Sequence, residues 1–217
     1  MELHISATPK KDYRQNEKAV REWLDAMYPA IVSQAVEEKA EIWWIDETGI
    51  RNASNYIKGY APKGKTPIIP VASAHIGVNM IAAITNTGKL RYHFYRGKFN
   101  QNIFMSFLKR IINTTGKKVF AIVDNSSIHR GGLVQNWKEK QTEFIRVFYL
   151  PSYTPHLNPV EYLNNNLKFE IARKGYSRTK CEIKKNAMSV MRSLQSTKNR
   201  IASFFVNECV KYAKFIE

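Results

Sequence analysis

Three acidic side chains sit in settings that could do chemistry: Asp46 in Trp-Ile-Asp-Glu-Thr-Gly, Asp124 in Ile-Val-Asp-Asn and Glu161 in Leu-Asn-Pro-Val-Glu-Tyr. The first two close short apolar runs, 41–46 and 118–124, that read as buried strands. Sites in open α/β sheets gather at the carboxyl ends of strands. If these strands are parallel neighbours, Asp46 and Asp124 project from the same edge. Carboxylates brought together repel unless a cation shares them, and hard oxygen donors suit Mg²⁺ or Mn²⁺. Two such ions on a phosphodiester activate the attacking oxygen and stabilise the leaving one. Each acid also has a plainer reading. A lone Asp at a strand end commonly caps a turn. Asn158-Pro159-Val160-Glu161 fits a capping box, with Asn at the N-cap, Pro at N1 and Glu at N3. The two roles of Glu161 are compatible, because a helix N-terminus favours the ionised carboxylate that a metal requires.

The elements that must position these acids follow from periodicity. Residues 1–16 are polar and basic and read as an arm. A helical stripe at 20, 23, 24, 27, 31, 32 and 35 is expected to split into two short helices at Pro29. After the 41–46 strand, residues 47–67 are rich in Gly and Pro and read as loop. Two β-rich runs, 74–85 and 90–96, flank Asn86-Thr87-Gly88 and predict a hairpin. Asn100 is placed to cap a helix with apolar residues at 103, 104, 107, 108, 111 and 112. A helix over 132–141, a strand over 144–150, a loop to Pro159 and a helix to Lys174, stopped by Gly175, complete the alternation. Residues 178–217 read as two further helices. The order implies an α/β domain, a mixed sheet with helices on its faces. We divide the chain into a linker with short helices (1–40), a catalytic core (41–175) and C-terminal helices packed on the core (176–217).

The surroundings of the acids are strongly basic. Of 217 residues, 34 are Lys or Arg and 18 Asp or Glu, a net charge of +16. That charge on a chain with 44% apolar residues implies a folded domain with a polyanionic partner, nucleic acid first. The two cysteines are far apart and outside any Cys/His spacing, which excludes a disulfide scaffold and a zinc finger. No segment reads as a signal peptide or a membrane span. A cytoplasmic, nucleoid-associated protein is expected.

Separated motifs now carry a resemblance. Trp-Ile-Asp-Glu-Thr-Gly, Ile-Val-Asp-Asn-x-x-x-His and Leu-Pro-Ser-Tyr-Thr-Pro-His-Leu-Asn-Pro-Val-Glu occur in this order, with 36 residues between Asp124 and Glu161. Gly59-Tyr-Ala-Pro-Lys-Gly-Lys-Thr-Pro67, Tyr13-x-Gln15 and Trp23-Leu24-x-x-x-Tyr28-Pro29 extend the match. The chain resembles the acidic-triad (DDE) transposases of bacterial insertion sequences in the mariner-like superfamily. The resemblance implies a ribonuclease-H-like fold with a basic helical C-terminal tail. It implies Asp46, Asp124 and Glu161 as catalytic metal ligands, and Mg²⁺ or Mn²⁺, two ions, as cofactor. It implies cut-and-paste movement of DNA: cleavage at transposon ends, then transfer into a TA-containing target by a homodimer on DNA. Thr154 and His156 stand where the family pattern has Ser and an acid. Such transposases carry helix-turn-helix modules before the core, and residues 1–40 match only the connecting segment. A separate helix-turn-helix polypeptide is therefore an expected partner.

Secondary candidates surround the triad. His129 is expected to contact the scissile phosphate or to order the metal site, and Asn125 to orient Asp124. Glu47 could swing in past the end of its strand. Arg51, Lys63, Lys65, Arg130 and Lys168 are candidate DNA contacts, joined by the tail, where 12 Lys or Arg face 4 Asp or Glu from Leu163 onwards. Trp43 and Trp44 read as core. Two other functions remain open on the residues alone: a non-catalytic DNA-binding remnant, and a general nuclease of the same fold.

Overall fold

A computed structural model describes residues 13–52, 64 and 76–214. Its centre is β1 (Glu41–Arg51), flanked by β2 (Gly77–Ile84) and β3 (Leu90–Tyr95) on one side and by β4 (Val119–Val123) and β5 (Ile145–Tyr149) on the other. The strand order is β3-β2-β1-β4-β5. β1, β2 and β3 pair antiparallel, whereas β4 and β5 run parallel to β1. The expected hairpin, the mixed sheet and the parallel pairing of the two acid-bearing runs are all present.

Burial on both faces of β1 explains its near-continuous apolar run. Ile42 and Trp44 face one core, which they share with Met80, Phe120, Leu163 and Leu167. Trp43 and Ile45 face a second, with Ile81, Ala121, Phe104 and Phe107. On the first face lie α2 (Tyr28–Glu37), α5 (Val160–Arg173) and α6 (Lys180–Ser196). On the second lie α3 (Gln101–Thr115) and α4 (Gly132–Glu139). Asn100 caps α3 as expected, its Oδ1 accepting from the Ile103 N–H at 3.0 Å. Gly175 follows α5 with φ +89°, the left-handed turn that lets the chain leave the helix.

Three expectations need correction. β1 runs to Arg51, five residues beyond Asp46, because residues 47–51 keep pairing with β2. The N-terminal helices are joined through a π-helical turn, Trp23–Met27, between α1 (Glu17–Glu22) and α2, with Pro29 seated in the first turn of α2. A linker reading does not suit this segment. Trp23 is fully buried and donates to the Tyr212 hydroxyl at 3.1 Å, and Tyr28 packs on Trp44 with ring centroids 5.5 Å apart. The chain after α6 forms the short helix α7 (Lys198–Ala202) and two 3₁₀ turns, not a second long helix. Residues 53–63 and 65–75 lie outside the described residues, and Lys63 and Lys65 with them. Among the described residues no helix is long and apolar enough to cross a membrane.

Candidate active site

The parallel register sets the first geometry. Trp44 pairs with Ile122, so two residues further on Asp46 comes level with Asp124. α5 crosses the first face of the sheet and brings Glu161 to the same edge. Asp46, Asp124 and Glu161 line one pocket, closed on its other side by the loop from Leu150 to Pro155 and by Asn158.

Two buried asparagine amides dock α5 onto β1. Asn158 Nδ2 donates to the Ile45 carbonyl at 3.1 Å, and Asn164 Nδ2 donates to Asp46 Oδ2 at 2.9 Å. They bracket Glu161 along the chain and fix it against Asp46. The expected capping box is absent here. Asn158 Oδ1 accepts from Val160 N–H at 3.1 Å, so that side chain serves the turn and the sheet. Asn164 Oδ1 is buried without a hydrogen-bond partner.

β1 presents alternate residues to opposite faces, so Asp46 and Glu47 diverge. Glu47 stays in the strand and does not swing into the pocket. Its Oε1 lies 2.9 Å from Nε2 of His129. The other ring nitrogen, Nδ1, lies 2.8 Å from Asp124 Oδ1. His129 is only 1% exposed, its ring packed 4.4 Å from that of Phe104. This corrects its expected contact with a scissile phosphate: both nitrogens are engaged and the ring is closed off from solvent. It links Asp124 to Glu47 beneath the sheet edge. Asn125 donates to Ser152 Oγ at 2.9 Å, which ties the Asp124 turn to the facing loop.

The electrostatics follow from these partners. Burial raises the Asp46 pKa well above the usual carboxylate value, and the charges of Glu161 and Glu47 raise it further. Glu161 is also raised by burial, against the opposing charge of Lys168. For Asp124, burial acts upward but is outweighed by the hydrogen bond and charge of His129, and the pKa falls. Burial pushes His129 down, yet its bonds to Asp124 and Glu47 win and hold it at about 10. The imidazolium is therefore the resident cation of this corner.

The donor set suits a hard divalent cation: three carboxylates, of which Asp46 and Glu161 have their pKa raised by burial and, for Asp46, by the neighbouring negative charges as well. As the side chains stand, no group of three acidic, imidazole or thiol side chains among the described residues encloses an ion position. Of the candidate DNA contacts, Arg51 is exposed and donates to Asn79 Oδ1 at 3.1 Å, and Arg130 is exposed with its guanidinium 4.5 Å from the Tyr149 ring centroid. Lys168 is half-buried on α5.

Glu47 as a partner of His129, and Asn164, are contributions the sequence reading missed. Asn164 had a signal, as a polar residue within the inward row Val160, Leu163, Leu167 and Ile171, three positions after Glu161.

A mixed five-stranded sheet with helices on both faces and acids at its central edge defines a ribonuclease-H-like domain. Residues 41–184 match the family model of the DDE superfamily endonucleases, and the chain belongs to that family. It is 40% identical over 73 residues to the insertion element IS630 uncharacterized 39 kDa protein of Shigella sonnei, a match covering 33% of this chain and 21% of that protein. Its fold is similar to the Mos1 transposase paired-end complex with left transposon end, with TM-score 0.66 and 15% identity, covering 100% of this chain and 69% of that chain. It is similar as well to the catalytic domain of Mos1 mariner transposase, with TM-score 0.59 and 12% identity, covering 98% and 100%. Other Mos1 paired-end complexes are described with Mn and with Mg.

Proposed function

We propose that this chain is the catalytic core of an insertion-sequence transposase that cuts DNA at transposon ends and joins the freed ends to target DNA. The observation that carries the reading is the convergence of Asp46, Asp124 and Glu161 on one pocket of a DDE-family domain with a net charge of +16. A shared divalent cation would relieve the repulsion among three acids gathered at one edge.

Asp46, Asp124 and Glu161 are the residues that would hold two Mg²⁺ or Mn²⁺ ions. Bound there, such ions would neutralise charge at the phosphate and would make water or a 3′-hydroxyl a better nucleophile. The protein's share is orientation. Asn164 fixes the Asp46 carboxylate, Asn158 fixes the start of α5, and His129 keeps Asp124 ionised and turned to the edge. Exposed Lys and Arg side chains bind the DNA backbone, a contact that carries affinity and little sequence information. Sequence-specific recognition of the ends then falls to a helix-turn-helix module or polypeptide, and a homodimer brings two ends together.

Incubation with Mg²⁺, a pre-cut transposon end and a target duplex tests the reading. Joined product is expected. Binding without joining would favour a non-catalytic DNA-binding remnant, and degradation of an RNA–DNA hybrid in place of joining a general nuclease.

A further inference from the structure

The loop that closes the pocket holds one residue in an unfavourable conformation. Tyr153 has φ +60°, in the left-handed region that a bulky side chain rarely occupies. Such strain persists only where the surroundings enforce it, and it clusters at ligand contacts. Here the flanking residues enforce it. Ser152 Oγ accepts from Asn125, and buried Thr154 donates through Oγ1 to the Pro151 carbonyl at 2.6 Å. With both neighbours pinned, the Tyr153 ring is held out at the mouth of the pocket that Asp46, Asp124 and Glu161 line, and it remains 47% exposed. The Arg14 guanidinium sits over the ring, 4.1 Å from its centroid.

We infer that Tyr153, backed by Arg14, is a stacking platform for an unpaired nucleobase next to the phosphate that the carboxylates receive. The inference rests on the proposed DNA substrate. An aromatic face accepts any base, because every base has a π-face. A guanidinium on one face leaves the opposite face for a base and adds positive charge beside the sugar-phosphate chain. The backbone strain aims the ring at the pocket mouth, where a glycine would relax. A nucleotide peeled from the duplex at the reacting bond gains a partner there in place of its lost neighbour.

The test uses a forked duplex with 2-aminopurine at the first unpaired position, bound by the full chain in EDTA so that no bond is cut. Wild type and Tyr153→Phe should quench the fluorophore. Tyr153→Leu and Tyr153→Gly should not, and their affinity for the fork should fall about 5- to 150-fold, the range for one lost base–aromatic stack. Affinity for a fully paired duplex should stay within about twofold. Tyr153→Gly separates stacking from folding, because it relieves the backbone and should melt no lower than wild type while still losing the quench. Equal quenching and equal fork affinity in wild type and Tyr153→Leu would overturn the platform while leaving the transposase reading intact. Failure of wild type to bind either DNA would overturn both.

Discussion

Substitution of His129 by Gln should remove the His129 share of the alkaline pH dependence of stability. The side chain is buried between Asp124 and Glu47, and Gln keeps a hydrogen-bonding group but no titrating charge. Raising an imidazolium from 6.5 to about 10 corresponds to about 5 kcal/mol at roughly 1.4 kcal/mol per tenfold change. Asp124 is 54% exposed, so solvent screening reduces the usable part to about 2–3 kcal/mol. The folded pKa lies above the unfolded one. The stabilisation is therefore complete below about pH 6.5 and disappears as pH rises through about 10. On the acid side Asp124 is depressed, so its contribution is lost as pH falls through its lowered pKa. Urea unfolding of both proteins at pH 7 and pH 10.5 measures the difference, and lysines and tyrosines common to the two cancel. Wild type should lose about 2–3 kcal/mol more than the variant across this interval. Parallel stability curves would refute the argument that His129 is charged and clamped.

Four further outcomes are expected. Asp124→Asn should fold and bind DNA but lose strand transfer in Mg²⁺, measured by joining and by gel shift on the same preparation. Asn164→Leu removes both the support of Asp46 and an orphaned buried oxygen. Its metal-free stability should change by under about 1 kcal/mol, while Mg²⁺-induced thermal stabilisation requires about 10- to 100-fold more ion. Gly88→Ala should cost about 2 kcal/mol or more in denaturant unfolding, because φ is +87° and a Cβ there would meet the Lys198 carbonyl oxygen at 2.4 Å. Binding to a random duplex should weaken by orders of magnitude between about 50 and 200 mM salt, and a flat titration would remove the phosphate-contact reading.

The three acids stood out in the sequence because each closes an apolar run or opens a helix, although in the fold Asp46 lies inside β1 and only Asp124 follows a strand end. What those acids touch was not legible. Glu-Thr-Gly after Asp46 reads as a turn, yet pairing with β2 carries the strand on to Arg51, a tertiary contact that overrides local preference. With the strand extended, Glu47 keeps the opposite face and meets His129, 82 residues away. Asn158 has the spacing of a cap, but its amide reaches the Ile45 carbonyl across the sheet edge, and no local pattern encodes that partner. The box that does form, between Thr179 and Glu182, has the standard Thr-x-x-Glu spacing.

The opposed facing of Asp46 and Glu47 makes the site sensitive to parity. Trp43 and Ile45 belong to one core and Ile42 and Trp44 to the other, so the strand is held odd-to-one-side and even-to-the-other. Loss of a single codon between Glu41 and Asp46, with the start of the strand held in place, would turn Asp46 toward His129 and Glu47 toward α5, and any tryptophan or isoleucine between the deletion and Asp46 would change sides as well. Loss of two adjacent codons would shorten the strand yet return both acids to their own faces. Length changes in this segment are therefore admissible in pairs, a rule that the backbone alone imposes on the gene.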